Sequence, residues 1–421
     1  MNILSSSEFL STNQPSVQKL LQNTQGYIIE EHGRDLVWNL FLRFKPEADA
    51  NDLRSRLSKT AEWIVSAHQL IREVPSLVTA IGLSGPGRRQ LRLPASDVDL
   101  KDGLHLRTSR ISYHYVDGWN DPKWIAEDRC DAIIILASNN KEELNSARDG
   151  LASLLGPVAD ITLEEGFVDR GPKHAREPFG FADGISQPVF FAQPVEMKPY
   201  PTRYNPQAPL NTVLTNEVLP GTQEPGTEFG SYMAFVKCEQ HVDNYNRAVE
   251  IVSRALNCDP DHAGALLIGR TKQGCPLTGC RPDNNDFNRS EDTDGLQWPF
   301  GSHACKMNER KDVGLPYGSA AFRPPRMVRR GVSYKDGDCV GLLFQSFQAN
   351  LGQFEAHLWW AVQEDHPRNG SGLDPILGTG GDFVLPDGRK VKIPRLVTFR
   401  GGEYFYFPSI PSLRTLPSQP Q

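Results

Sequence analysis

The chain has 421 residues, a formal net charge of −6, 38% hydrophobic residues and 23% charged residues. This length accommodates two domains of ordinary size, and the composition is that of a globular chain rather than a disordered one. The acidic balance argues against nucleic acid or an anionic membrane surface as a partner, and no apolar run reaches the roughly eighteen residues a membrane span needs.

The first twenty residues lack a basic segment followed by an apolar core, so no secretory signal is expected. The 36 glycines and 32 prolines point to many ordered loops. A short apolar strand followed almost at once by an amphipathic helix is predicted four times. The first unit is 37–44 (VWNLFLRF) and then 50–67. The second is 131–136 (DAIIIL) and then 141–155, with Asn139 and Asn140 as caps and Leu144, Ala147, Leu151 and Leu154 at helical spacing. The third is 232–236 (YMAFV) and then 242–256, with Asp243 at the helix start. The fourth is 340–347 (VGLLFQSF) and then 351–362. Further strand-like runs lie at 77–83, 111–115, 159–164 and 396–400. Four such units suggest two halves with two units each, the α+β arrangement called ferredoxin-like, the halves packing sheet to sheet. The Pro-, Asn- and Thr-rich stretch 193–227 is the expected boundary, giving halves of 1–205 and 206–421. The seven cysteines show no C-x-x-C pair, which fits reduced thiols in the cytoplasm.

Three segments carry chemical possibilities. In EPFGFADGISQP (177–188), Asp183 stands in a Gly-x-x-Asp-Gly core whose glycines let the backbone bend and approach a flat ligand closely. The same Asp-Gly is also the composition of an ordinary turn. Of the ten histidines, His303 stands out, because Gly301, Ser302 and Ala304 leave room for a large flat cofactor beside its imidazole. A structural role is the alternative, and His357, beside Trp359 and Trp360, reads as packed. In RMVRRGVSY (326–334), strand alternation puts Arg329 and Arg330 on opposite faces, one inward and one outward. An inward arginine would stabilise developing negative charge; the alternative is a solvated basic strand. No Gly-x-Ser-x-Gly elbow, phosphate-binding Gly-Lys-Ser/Thr loop or His-Glu-x-x-His is present.

Taken together, the segments resemble the dye-decolourising peroxidases. The resemblance rests on FGFADGISQP (179–188), LLIGRTKQGCPL (266–277), PFGSHACKMN (299–308), MVRRGVSY (327–334), GLLFQSF (341–347), GLDPILG (372–378) and FRGGEYFYFPSI (399–410), in the family's order. It covers about residue 131 to the C-terminus. Thr271 stands where the family usually has Trp, and Ala304-Cys305 replace the usual residues after the histidine.

The resemblance implies two ferredoxin-like halves forming a barrel-like α+β fold, with haem b mainly in the C-terminal half. His303 would be the proximal iron ligand, and Asp374 the acceptor of its second N–H. Asp183 would be the distal acid–base group and Arg329 the charge stabiliser, the first arginine of the pair being the family match. Leu342 and Phe344 would form an apolar distal wall that admits peroxide but not a dye. The activity implied is reduction of hydrogen peroxide coupled to one-electron oxidation of aromatic dyes and phenols, with an acidic optimum because the base is an aspartate. Bulky reductants would react at a surface aromatic, with Tyr334 the first candidate and Trp359, Trp360, Tyr404 and Tyr406 behind it. The alternative is a protein that binds or releases haem or iron with little turnover. Homo-oligomerisation is compatible with such sheets but is not legible in the sequence.

Overall fold

The computed structural model describes residues 3–6, 10–93, 98–125, 129–171, 174–192, 208–219, 226–279, 291–308 and 326–418. All four strand–helix units are present. They are β1 (Leu36–Phe44) with α1 (Ala50–Thr60), β3 (Ala132–Ser138) with α2 (Lys141–Leu155), β5 (Phe229–Gln240) with α3 (Val242–Leu256), and β8 (Cys339–Gln348) with α6 (Gly352–Ala361). Between and after them run β2 (Val78–Leu83), β4 (Ala159–Phe167), α4 (Pro260–Ile268), α5 (His303–Met307), β6 (Val328–Arg329), β7 (Val332–Asp336) and β9 (Val397–Phe407).

Two expectations are corrected. Helix α1 stops at Thr60, because Ser66 starts a separate helix, Ala67–Arg72, with a reciprocal capping box to Gln69. The run 111–115 is no strand: it is the end of the Val98–Ile111 helix and a helical turn, Tyr113–Tyr115. Its apparent alternation misleads, since Tyr113 is 74% exposed whereas Tyr115 is buried with its hydroxyl donating to the Leu358 carbonyl at 2.8 Å. The expected boundary at 205/206 lies outside the described residues.

The long strands hydrogen bond into one antiparallel sheet that closes in the order β5–β9–β2–β3–β1–β4–β7–β8 and back to β5. This barrel-like ring is two groups of four. Strands β1 to β4 lie in the order β4–β1–β3–β2, and β5, β7, β8 and β9 in the order β7–β8–β5–β9. Each group therefore places its fourth strand beside its first, then its third, then its second. The groups meet along their edges at Ser333–Phe167 and Tyr406–Leu83. Their faces also meet inside the ring, where Phe41 of β1 packs on Phe235 of β5 (ring centroids 4.9 Å apart). Aromatic pairs of this kind add about 0.5–1.5 kcal/mol beyond the area they bury.

The interior is not wholly apolar. Gln345 of β8 donates to Asn39 of β1 (2.8 Å) and accepts from the Tyr27 hydroxyl (2.8 Å). Since Gln345 faces inward, strand periodicity turns Leu342, Phe344 and Ser346 to the outer face. Helix α6 covers that face, with Phe354 6.2 Å from Phe344, and α5 packs on α6. The candidate site described next is built from residues of this outer face and of those helices.

Candidate active site

The Asp183 loop is held from several sides. The Asp183 amide bonds to the Ala175 carbonyl (2.8 Å), and the Ala182 amide to the Lys272 carbonyl (2.9 Å). Arg176 donates to the carbonyls of Gly180 (2.7 Å) and Lys272 (2.6 Å). The Glu177 carboxylate accepts from the amides of Phe179 (3.0 Å) and Phe181 (2.8 Å) and from Gln240 (2.5 Å). Gly184 has φ +74°, a conformation that suits glycine, and its amide donates to Asp183 Oδ1 at 2.7 Å. Gly274 takes φ +86°, also a conformation that suits glycine, and a Cβ there would press on the end of the Ile185 side chain. Thr271, the departure from the family pattern, fastens this turn by accepting from the Cys275 amide at 3.1 Å.

Arg329 is built onto the same loop. Its Nη2 donates to the Ile185 carbonyl at 2.8 Å. Gln187, nearly fully buried, accepts from the Arg329 amide (3.1 Å) and donates to the Arg329 carbonyl (3.0 Å). The arginine pairs across strands with Ser346, so it shares the outer face with Phe344 and Leu342. The expectation of one inward and one outward arginine fails. Arg330 is only 6% exposed and donates to the carbonyls of Tyr27 and Arg329 (both 3.1 Å). Both sides of this strand are covered, one by the Asp183 loop and the other by the Gly26–Ile29 helix, so alternation selects between two interiors.

Burial raises the Asp183 pKa above the ordinary aspartate value, while the Gly184 amide and the Arg329 charge pull it down and Glu31 pushes it up. The carboxyl is thus a stronger base than an exposed aspartate, coupled to the guanidinium beside it.

Ser302 precedes α5, and His303 opens it. The His303 Nδ1 faces Asp374, at 2.9 Å from Oδ2 and 3.2 Å from Oδ1. Asp374 is 1% exposed, and its Oδ1 also accepts from the amides of Ile376 and Leu377 (both 2.7 Å). Burial alone would raise this carboxyl. His303, the Leu377 amide and Lys306 outweigh that effect and hold it below the ordinary range. The His303 side chain is 30% exposed, and among the described residues its Nε2 has no partner.

That donor set fits a haem. An imidazole with one nitrogen fixed by a buried carboxylate and the other free is the arrangement of a metal-ligating histidine. Leu342, Phe344, Ile185 and Ala182 are only partly buried, as apolar walls for a flat ring require. His357 is packed, as the sequence suggests: it is buried and its Nδ1 lies 2.7 Å from the Gln353 carbonyl. Cys305 is fully buried beside Trp298.

Tyr334 is not a surface residue. It is 3% exposed, and the Lys237 ammonium sits 4.9 Å above its ring. Tyr404 and Tyr406 are fully buried. Trp359, 50% exposed on α6, is the more exposed of the tryptophan candidates, and its neighbour Trp360 lies 5.3 Å from His357 and stacks on His366 at 4.8 Å. Arg176, Glu177 and Gln187 were missed by sequence reasoning as positioning groups. Their spacing around Asp183 is visible in the sequence, but the partners that fix them include Lys272, Gln240 and Arg329, far along the chain.

No protein-family model matches the chain. The multifunctional dye peroxidase of an Amycolatopsis species is 30% identical to it over 450 aligned positions, covering 94% of this chain and 96% of the relative. A dye-decolourising peroxidase of Mycetinis scorodonius is 26% identical over 87% of this chain and 82% of its own length. Among solved structures, an Anabaena dye-decolourising-type peroxidase superposes with a TM-score of 0.86 at 26% identity, covering 99% of both chains. The Amycolatopsis enzyme superposes with a TM-score of 0.85 at 28% identity, covering 99% of this chain and 100% of that one.

Proposed function

The chain belongs to the dye-decolourising peroxidases, and from that premise we propose a division of labour within its candidate site, with His303 on the iron side and Asp183 and Arg329 on the peroxide side. The protein is a haem-dependent peroxidase that reduces hydrogen peroxide and oxidises dyes and phenols. The two four-stranded groups are the two ferredoxin-like halves, 1–205 and 206–421, and haem b lies mainly against the second. Six free cysteines among the described residues support a cytoplasmic setting. No described helix is long and apolar enough to cross a membrane.

Haem supplies, when bound, the iron at which peroxide is reduced and the store of oxidising equivalents. His303 would hold it through Nε2, while Asp374 fixes the ring and draws on the Nδ1 proton, which strengthens the imidazole as a donor. Asp183 accepts a proton from one peroxide oxygen and delivers it to the other, so that water is the leaving group. Arg329 stabilises the negative charge that develops as the O–O bond breaks. Leu342 and Phe344 keep the peroxide side narrow and apolar. The observation that carries this reading is the binding of Arg329 to the Asp183 loop through Ile185 and Gln187.

The reading has a pH signature. Asp183 works as a base only when deprotonated, and its raised pKa places the acid limb of the peroxide reaction above that of an ordinary aspartate. Arg329 lowers that pKa, so Arg329→Leu moves the limb to still higher pH as well as lowering the plateau. Stopped-flow rates of the wild type and variant across the acid range check this. A limb that stays put, or moves to lower pH, excludes the coupling.

Large reductants are too bulky for the peroxide side and, on this proposal, give electrons at Trp359. Trp359→Phe is expected to lower kcat/KM for a bulky dye about tenfold, or ~1.4 kcal/mol, with the peroxide rate constant unchanged. An equal loss for hydrogen peroxide would assign the effect to damage rather than to the electron route.

A further inference from the structure

Lys306 stands one helical turn beyond His303 on α5, and it is fully buried. Its ammonium donates to three backbone carbonyls: Gln363 at 2.8 Å, His366 at 2.7 Å and Gly372 at 2.6 Å. All three of its N–H bonds are used. Buried lysines are rare and are ordinarily paired with a carboxylate. Here the contacts are carbonyls, and among the described residues no carboxylate comes within ion-pair distance. The foremost anion acting on the ammonium is Asp374, ahead of Asp365 and Glu364, and Lys306 in turn helps to hold the Asp374 carboxyl down.

The position of the three carbonyls matters. They span residues 363–372, the stretch that leads from the end of α6 to Asp374. The same stretch is closed by the Gly372 amide on the Glu364 carbonyl (2.9 Å) and delivers the Asp374 amide to the Ala361 carbonyl (2.8 Å). One side chain thus ties the helix that carries His303 to the segment that carries its acceptor. Burial lowers the Lys306 pKa to about 8, so the charged form dominates at neutral and acidic pH.

We propose that Lys306 is a positioning residue for the iron ligand, clamping the Asp374 segment and tempering the negative charge that Asp374 presents to His303. This rests on the reading of His303 as the ligand. The more freely Asp374 exerts its charge, the more imidazolate-like His303 becomes, and the more it favours ferric over ferrous iron. The ammonium opposes this through space.

The test uses the haem-loaded protein and two readouts other than turnover: the ferric/ferrous midpoint potential, and the iron–histidine stretching frequency of the ferrous form by resonance Raman. Lys306→Gln removes the charge but keeps two donors for the carbonyls. It is expected to shift the equilibrium toward ferric iron about tenfold, which is 59 mV for one electron, and to raise the stretching frequency. In an Asp374→Asn background the same change is expected to do much less, as a double-mutant cycle requires when one residue acts through another. Lys306→Arg keeps the charge and is expected to keep the wild-type values. An unchanged potential in Lys306→Gln, or a shift of equal size without Asp374, overturns the proposal. So does a tenfold shift in Lys306→Arg, an outcome that is readable even if the neutral variant does not fold. If His303→Ala keeps the wild-type spectrum, the reading of the ligand itself has failed, whatever Lys306 does.

Discussion

Asp183→Asn is expected to slow the reaction with hydrogen peroxide by about 10²–10⁴-fold, the range that a positioned acid–base group supplies. The substitution keeps the shape of the side chain and an oxygen for the Gly184 amide, so the loop has no reason to move. It removes the capacity to take a proton and hand it back. The loop is independently held by Arg176, Glu177 and the turn at Gly274, so its backbone does not depend on the Asp183 charge. Haem uptake and the resting optical spectrum should therefore match the wild type, and only the rate of the spectral change on mixing with peroxide should fall. A rate within tenfold of wild type would move the proton-transfer role away from Asp183 and leave Arg329 as the dominant group. The two effects need not add, because both residues serve one step.

The parts of this protein most legible in its sequence are those governed by local periodicity. The helix bounds 141–155 and 242–256 are the observed ones, because Asn140 caps the first and apolar residues recur at helical spacing in both. Strands were found but cut short: β9 runs on to Phe407, through a continuous aromatic stretch in which both faces are buried and alternation vanishes. The same effect misled the reading of the two arginines. Alternation assigns sides of a strand but does not say which sides meet water, and at Arg329 and Arg330 neither does. Tyr334 lies close to Arg329 along the chain, but it is buried, with the Lys237 ammonium from a different strand over its ring. Of the candidate site, the residues to which the chemistry is assigned were singled out by type and neighbourhood. Those that place them, such as Gln187 and Lys306, act on backbone atoms up to 142 residues away and leave no local pattern.

His303→Ala is expected to abolish stable haem binding, and the peroxidase activity with it. His357, the histidine on the neighbouring helix α6, is no substitute, because it lies buried against the Gln353 carbonyl. Replacing an outer partner of a metal-bound histidine costs about 10–100-fold in metal affinity or activity. Asp374→Asn should fall in that range, and loss of the ligand itself should exceed it. The order of the two variants is the informative result. Asp374 also anchors its own segment by accepting the Ile376 and Leu377 amides at Oδ1, an oxygen that Asp374→Asn retains, so that variant weakens the donor and leaves the loop in place. His303→Ala removes the donor and leaves that loop tied to Lys306. Exogenous imidazole should therefore restore the Soret band to His303→Ala, since the rest of the site and the Asp374 acceptor remain in place, and it should not improve Asp374→Asn. If the alanine variant binds haem as tightly as Asp374→Asn does, the iron ligand is another residue, and the assignment of the two sides of the site falls with it.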